Sequence, residues 1–374
     1  MSSTTQHKIL LLGDYSNCHA NLADGLRNLG QDVTVMAQVN YLSSDKVNVD
    51  ISRKKGKLGG LALYLKAYST WHKYLKDYDI VALSDLMFLS LRPEKLKPLF
   101  KRLINENGGV FYTAMSNDIN YLRMCKNPEC PLKFNEYYIE GKPSPWYLEN
   151  PQRLNNWFKK EIVEYQDYVF QNLRGAVSVL YEYHKALECL YDDSKIGYGG
   201  IPVDTTSIPF VGMPLKSKIR ILLGRDRSRI KMKGSDILEK AALNVSRKYP
   251  QDVELVVVEN IPYNQFIEEL KKSDIILDQA YSYTPATTAL LSMAMGKVVV
   301  SGGEPEYYEF IGEKENHPIV NASYDIEKMT RDLERVVLDR NYLKEASEKS
   351  REFVVRHNDT QVVAQRFLNF WTKK

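Results

Sequence analysis

The sequence holds no run of the roughly 18–20 apolar residues that a helix needs to cross a bilayer, which excludes an integral helical membrane protein. Its start, MSSTTQHKILLLGDY, carries no secretory pattern, because the apolar run stops after a few residues at Gly13 and Asp14. A cytoplasmic chain is therefore expected. Cysteine is scarce, four among 374 residues at 18, 125, 130 and 189, too few and too scattered for a disulfide scaffold. Cys125 and Cys130 are close, in MCKNPECP, but no second Cys or His pair follows at zinc spacing, so no metal site is expected. Excess charge is nearly absent as well. The balance of 51 basic and 47 acidic residues leaves +4, too little for a dedicated nucleic-acid binder. It suits an anionic ligand or an anionic lipid surface. Glycine is missing where a dinucleotide cofactor would need it. After Gly13 no second or third glycine stands at the fingerprint spacing.

What is present is an ordinary globular composition, 44% apolar and 26% charged, long enough for two domains. Tyrosine is abundant, with 25 copies, which suits sugar or partner contacts and equally suits half-buried packing. Apolar runs alternate with helical stretches. Residues 8–12, KILLL, read as a strand buried on both faces. A polar loop, 14–19, follows Gly13, then a helix to about Leu29 with Gly30 as its cap, then the strand QDVTVMA. DIVALSD and VFYTAMS are further strands, the second ending near Asn117 and Asp118. Residues 52–60 read as a basic loop. Residues 61–78 read as a helix with Lys66, Lys73 and Lys76 on its polar side, either a surface helix or one that lies on an anionic membrane. Residues 121–160, rich in Tyr, Asn and Pro, read as a long irregular insertion of the kind that serves acceptor binding.

At 217–250 the pattern restarts as strand, glycine loop and helix, which marks a second α/β domain. The division expected is 1–200 and 201–357, with the last helix, 358–374, packing back on the first domain. In parallel sheets of this kind ligands sit beyond the carboxyl ends of the strands. Three features fall there. His19 follows the first strand and is either a donor to a sugar hydroxyl or a helix-start histidine bonded to its own turn. The loop GRDRSRIKMKG, 224–234, carries Arg225, Arg227, Arg229, Lys231 and Lys233 just before a helix start, a natural phosphate site. Residues 273–309 form a strand–loop–helix–strand–loop block whose polar loops, 281–287 and 301–309, lie at strand ends.

GDYSNCHANLADGLRNLGQDVTV, LLGRDRSRIKMKGSDILEKA and DIILDQAYSYTPATTALLSMAMGKVVVSGG together resemble the GT-B glycosyltransferases, and more closely the retaining, nucleotide-sugar-dependent family that builds bacterial surface polysaccharides and glycolipids. The resemblance implies an α/β GT-B fold: two Rossmann-like domains with a cleft between them and a C-terminal helix returning to the first. It implies sugar transfer from a nucleotide-sugar donor to a glycan or lipid-linked hydroxyl acceptor, without metal or resident cofactor, at the inner face of the plasma membrane or free in the cytoplasm. Arg225 and Lys233 match the family's diphosphate positions. Gly13 is expected among the donor-binding residues, and His19 and Asp118, the candidate catalytic residues, would face the acceptor side or the sugar. The chain departs from the pattern at two carboxylates. Tyr283 and Leu291 stand where the family places its sugar-contacting and ribose-contacting glutamates, and Val298 replaces a proline. Thr287, Thr288 or Glu304 would substitute, or the donor differs, or transfer is lost. A non-catalytic nucleotide- or glycan-binding protein and a nucleotide-sugar epimerase remain the alternatives.

Overall fold

The computed structural model describes residues 5–39, 45–213 and 217–373. Residues 1–4, which open the stretch read above for a leader, lie outside them. The chain forms two compact units. The first comprises Met1–Asn127, Pro151–Pro202 and Thr360–Lys374; the second comprises Pro128–Asn150 and Val203–Asp359.

The first unit is built on a seven-stranded parallel sheet. Its strands are β1 Lys8–Leu12, β2 Asp32–Ala37, β3 Val49–Asp50, β4 Ile80–Leu83, β5 Val110–Ala114, β8 Gly175–Ser178 and β9 Ile196–Tyr198, in spatial order β3-β2-β1-β4-β5-β8-β9. β1 sits inside the sheet, with Leu10 against Thr34 on one side and Val81 on the other. That is why KILLL is apolar almost throughout: Ile9, Leu10, Leu11 and Leu12 are all fully buried. The final helix, Thr360–Trp371, packs on the helix Cys18–Asn28. Gly25 makes that approach close, because a Cβ there would collide with the Thr360 carbonyl. Phe370 and Trp371 add edge contacts to Phe111.

The second unit holds a five-stranded parallel sheet of β10 Ile219–Arg225, β11 Val253–Glu259, β12 Ile275–Leu277, β13 Val298–Ser301 and β14 Val320–Asn321, in order β11-β10-β12-β13-β14. Its core joins Ile221, Leu223, Ile275, Val298 and Val300 to the helices Ser235–Lys248 and Ile326–Leu338.

Two local expectations are corrected. A helix spans Gly56–Ser69, so the basic loop is shorter and the helix starts earlier than the sequence implied. It stops at Thr70, and a separate turn, Trp71–Tyr74, follows. The stretch expected to be irregular contains the helices Ile119–Lys126, Pro145–Glu149 and Pro151–Trp157 and a two-stranded hairpin, β6 Tyr138–Ile139 with β7 Lys142–Pro143. The hairpin segment, Pro128–Asn150, belongs to the second unit although it lies within the first half of the sequence.

Lys297 is fully buried between helix and strand. Its Nζ donates to the carbonyls of Gly212 at 2.7 Å and Lys271 at 2.8 Å. It thereby ties the entry of the second unit to the helix Tyr263–Lys272. Lys297→Met keeps the stem and removes both donors. It is expected to cost about 2–4 kcal/mol of the second unit's stability, because a buried carbonyl at Gly212 and a part-buried one at Lys271 lose their donor. Hydrogen exchange of the β12 and β13 amides would read this as faster opening, with the β1 amides unchanged.

Candidate functional site

In the second unit the polar groups collect at the carboxyl ends of β10, β12, β13 and β14. β10 ends on Arg225. Its Nη1 donates to Glu239 Oε2 at 2.8 Å, and its Nη2 lies 3.2 Å from Glu259 Oε2. The remaining donor, Nε, is buried without a hydrogen-bond partner. The loop then runs through a short helix, Ile230–Lys233, to Gly234, which is left-handed at φ +68° and opens the helix Ser235–Lys248. A Cβ at Gly234 would press on Ala280 and Tyr281, so the loop backbone lies directly against the end of β12. Lys233 sits in that contact. Its carbonyl accepts from Ala280 N at 2.7 Å, and its Nζ is 3.5 Å from Oδ1 of the buried Asp278.

The cations of this loop are all paired. Arg227 bonds Glu259, Arg229 faces Asp226 at 3.4 Å and Lys231 pairs with Glu149. The field of the loop is therefore largely balanced by carboxylates, which sequence spacing alone did not reveal. An incoming anion would exchange with acids rather than meet bare positive charge.

Beyond β12, Tyr283 is buried rather than lining an open surface. Its ring stacks on Phe134 of the hairpin segment with centroids 4.8 Å apart, and its hydroxyl accepts from Lys133 N at 2.6 Å. Phe134 also meets Tyr324 edge-on, Lys133 Nζ pairs with Glu306, and the Tyr324 hydroxyl donates to Glu140 at 2.7 Å. The hairpin thus clasps the loops after β12, β13 and β14, and Glu149 holds the loop after β10. Thr287 is exposed and Thr288 half-buried at the start of the helix Thr287–Ala294, which has no side-chain cap, so its first amides remain open to a ligand. Glu304 is buried, with Oε1 accepting from Asn321 Nδ2 at 2.6 Å. Its backbone N donates to the Tyr283 carbonyl at 3.3 Å. Arg225, Lys233, Thr287, Thr288 and Glu304 share one end of one sheet. Tyr283 is there too, but its polar atom is already taken.

In the first unit Gly13 is left-handed, φ +83°, and a Cβ there would collide with Ser84 Oγ. His19 is fully buried. Its Nδ1–H donates to the Gly13 carbonyl at 2.7 Å, and its Nε2 accepts from the Thr113 hydroxyl at 3.0 Å. A carbonyl can only accept, which fixes this neutral tautomer. Burial lowers the imidazole to about 4. Asp118 is also buried. It caps the helix Ile119–Lys126 through Tyr121 N at 2.8 Å and accepts from the Tyr112 hydroxyl at 2.9 Å, and burial pushes it up to about 6. Both residues therefore have structural partners and would act on a ligand only by giving them up.

The sequence reading passed over Asp14. It accepts from His19 N through Oδ1 at 2.8 Å, and its Oδ2 is buried with no partner. Burial raises it to about 6. The next loop residues, Ser16 and Asn17, hold positive φ of 53° and 61°, and Asn17 Oδ1 is likewise unpartnered. Consecutive left-handed residues beside unpartnered oxygens make this a candidate functional loop. The signal in the sequence was the Gly-Asp pair closing an apolar strand.

His19→Gln tests the assignment of the ring as a neutral brace. A base depressed in the fold favours the unfolded chain wherever only that chain takes the proton. His19 therefore subtracts stability as pH falls from 6.5 to about 4. The variant is expected to be less stable at pH 7, with the deficit shrinking across that window in denaturant titrations.

Among the described residues no group of three or more His, Cys, Asp or Glu side chains could hold a metal. No helix among them is long and apolar enough to cross a membrane. Cys125 and Cys130 fall in different units.

No family model and no curated protein matches the sequence. Comparison with solved structures does find similar ones, and they show the fold: the chain has the GT-B fold, two Rossmann-like α/β units with the C-terminal helix returned to the first. HepE from Anabaena, solved with UDP and glucose, is similar at 12% identity and a TM-score of 0.61, over 99% of this chain and 100% of that one. Sucrose-phosphate synthase from Thermosynechococcus elongatus is similar at 11% identity and a TM-score of 0.63, over 97% and 98%. The lipopolysaccharide outer core galactosyltransferase WaaB, in its apo form, is similar at 14% identity and a TM-score of 0.54, over 97% and 98%.

Proposed function

We propose that the protein transfers a sugar from a nucleotide-diphosphate sugar to a hydroxyl acceptor, glycan or lipid-linked, in the synthesis of a bacterial surface polysaccharide or glycolipid. The observation that carries this reading is Arg225 and Lys233 at the end of β10, one with a buried unpartnered N–H and the other beside a helix start, in a GT-B fold. The bond between anomeric carbon and diphosphate oxygen breaks, and the negative charge that grows on the departing diphosphate is met by the two cations and by the open amides at 287–288. Stabilising charge where it develops is commonly the largest catalytic term. The acceptor oxygen bonds to the same carbon, and its proton passes to the departing diphosphate. We assign retention of configuration to this face-on exchange. The basic residues take the place a metal would fill. Asp14, with its free buried oxygen, is the group we place against the acceptor or the sugar, with His19 and Asp118 bracing the loops around it.

A second reading has its own support. The loop cations are all matched by acids, and the Tyr283 hydroxyl is already engaged, as in a protein that binds a nucleotide or glycan without turning it over. The deciding experiment incubates the full chain with UDP-, GDP- and TDP-sugars, UDP-glucose first because it is bound in one HepE structure. Hydroxyl acceptors are varied, and free nucleoside diphosphate and glycosylated product are measured. Release with product supports transfer. Binding without release in every mixture supports the second reading. Conversion of donor without acceptor points to an epimerase.

A further inference from the structure

A surface outside the proposed donor site carries an independent inference. From Ile51 to Lys76 the chain contains Arg53, Lys54, Lys55, Lys57, Lys66, Lys73 and Lys76 and not one acidic residue. Within it the helix Gly56–Ser69 turns Gly59, Leu63 and Ala67 into the core. Its outer face is apolar as well: Leu58 is 82% exposed, Leu61 54%, Leu65 56% and Tyr68 57%. At 100° per residue these four, with Ala62, fill an arc of roughly 120°. Lys57 borders the arc on one side and Lys66 on the other. A surface helix ordinarily shows polar residues to water; one apolar on both faces belongs in a core or at a lipid interface. The sequence left open whether the apolar face of this stretch turns to the core or lies on an anionic membrane. The structure puts three leucines and a tyrosine outward between the lysines.

Beside the arc lies a hollow of about 380 Å³ lined by Arg53, Lys57, Leu61, Tyr64, Arg92 and Lys95. Arg53 is held in place by Nη1 donating to the Ser90 carbonyl at 2.7 Å and Nη2 to the Gly56 carbonyl at 3.1 Å. Lys95 Nζ sits over the Tyr64 ring at 5.3 Å. The acid in the hollow is Glu94, 3.9 Å from Arg92 Nη1. Four cations against one carboxylate leave a net positive cup.

We propose that this face docks the protein on a membrane of anionic phospholipid, with Leu58, Leu61, Leu65 and Tyr68 entering the interface and the Arg53–Lys57–Arg92–Lys95 hollow taking a lipid phosphate. The pairing of apolar arc and basic rim selects the occupant. A neutral bilayer leaves the rim unmatched, and an apolar protein face leaves the four cations of the hollow with Glu94 as the one acid among them. The surface lies wholly in the first unit and does not depend on the transferase reading.

The test is flotation of the full chain with phosphatidylcholine vesicles, with and without a third of phosphatidylglycerol. The protein is expected to float with the anionic vesicles, to stay behind with the neutral ones, and to be released by salt. Leu61→Gln with Leu65→Gln lowers partitioning at least tenfold. Removing Lys54, Lys55 and Lys57 together by alanine lowers it roughly fivefold per cation at low salt. Leu338→Gln, at an exposed apolar position of the second unit, leaves it unchanged. No flotation with anionic vesicles overturns the proposal, and so does flotation indifferent to these substitutions. Self-association that the Leu61/Leu65 pair abolishes, without vesicle binding, overturns it in favour of a protein interface.

Discussion

On the transferase reading, Lys233→Ala is expected to lower donor turnover by about 10²–10³-fold, the range found when one preorganised charge-stabilising group is removed. Two features set that expectation. Lys233 stands where the loop after β10 meets the end of β12, its position fixed from both sides by the Gly234 contact and by the Ala280 hydrogen bond to its carbonyl. Its ammonium is 3.5 Å from Asp278, so before any anion arrives the charge is partly offset. On that reading ground-state binding is limited, and the gain is concentrated where the departing diphosphate carries its largest charge. The loss should accordingly fall mainly on kcat, with donor KM changed several-fold at most. Arg225→Ala should behave alike. It also takes this partner from Glu239 and leaves Glu259 with Arg227 alone, so part of its effect will be structural. The double variant should lose less than the product of the two, because both act on one departing group. Steady-state kinetics with the best donor of the panel measures all three. A fall in KM-dependent binding alone, with kcat intact, would place both residues in ground-state recognition and remove them from the chemistry.

The strands were legible because a parallel sheet covered on both faces demands unbroken apolar runs, and KILLL, DIIL and KVVV have no other economical use. The basic loop was legible for a related reason: cations packed between a strand and a helix start have a physical meaning wherever they occur. Their partners were not legible. Glu239, Glu259, Glu149 and Asp278 are scattered along the chain, and only folding brings them to the loop. Helix 56–69 was misplaced because a helix apolar on both faces has no clean 3.6-residue period to read. His19 drew attention over Asp14 because imidazole titrates near neutrality in water. Burial reversed that ordering, sending the histidine down to about 4 and the aspartate up to about 6. Tyr283 in a position of acids was visible in the sequence, but the reason it is tolerated lies 150 residues away at Lys133.

Phe134→Ala is expected to loosen the second unit's site more than any other single change in the hairpin. The ring is buried, stacked on Tyr283 and edge-on to Tyr324, so truncation removes both contacts and leaves a cavity. A loss of about 3 kcal/mol is expected for such a deletion. Tyr283→Phe isolates the polar part. It leaves the stack and removes the acceptor of Lys133 N–H, which should cost about 1 kcal/mol. Phe134→Ala combined with Tyr283→Ala should then cost less than the two apart, by about 1 kcal/mol, the coupling of a stacked pair. Two units need not unfold together, so a single melting temperature is the wrong measure. Amide exchange at 281–287 and at 133–139 reads the local opening directly. In Phe134→Ala both segments should open faster and to the same degree, because one stack and one hydrogen bond hold them to each other. Faster exchange in the hairpin alone would mean that the loop after β12 keeps its shape without it. The Tyr283 side would then owe its burial to Glu304 and β13 instead. On the transferase reading, the loosened loop should also raise donor KM several-fold while kcat per bound donor holds. That pattern would place the hairpin as a wall of the donor pocket rather than a participant in the transfer.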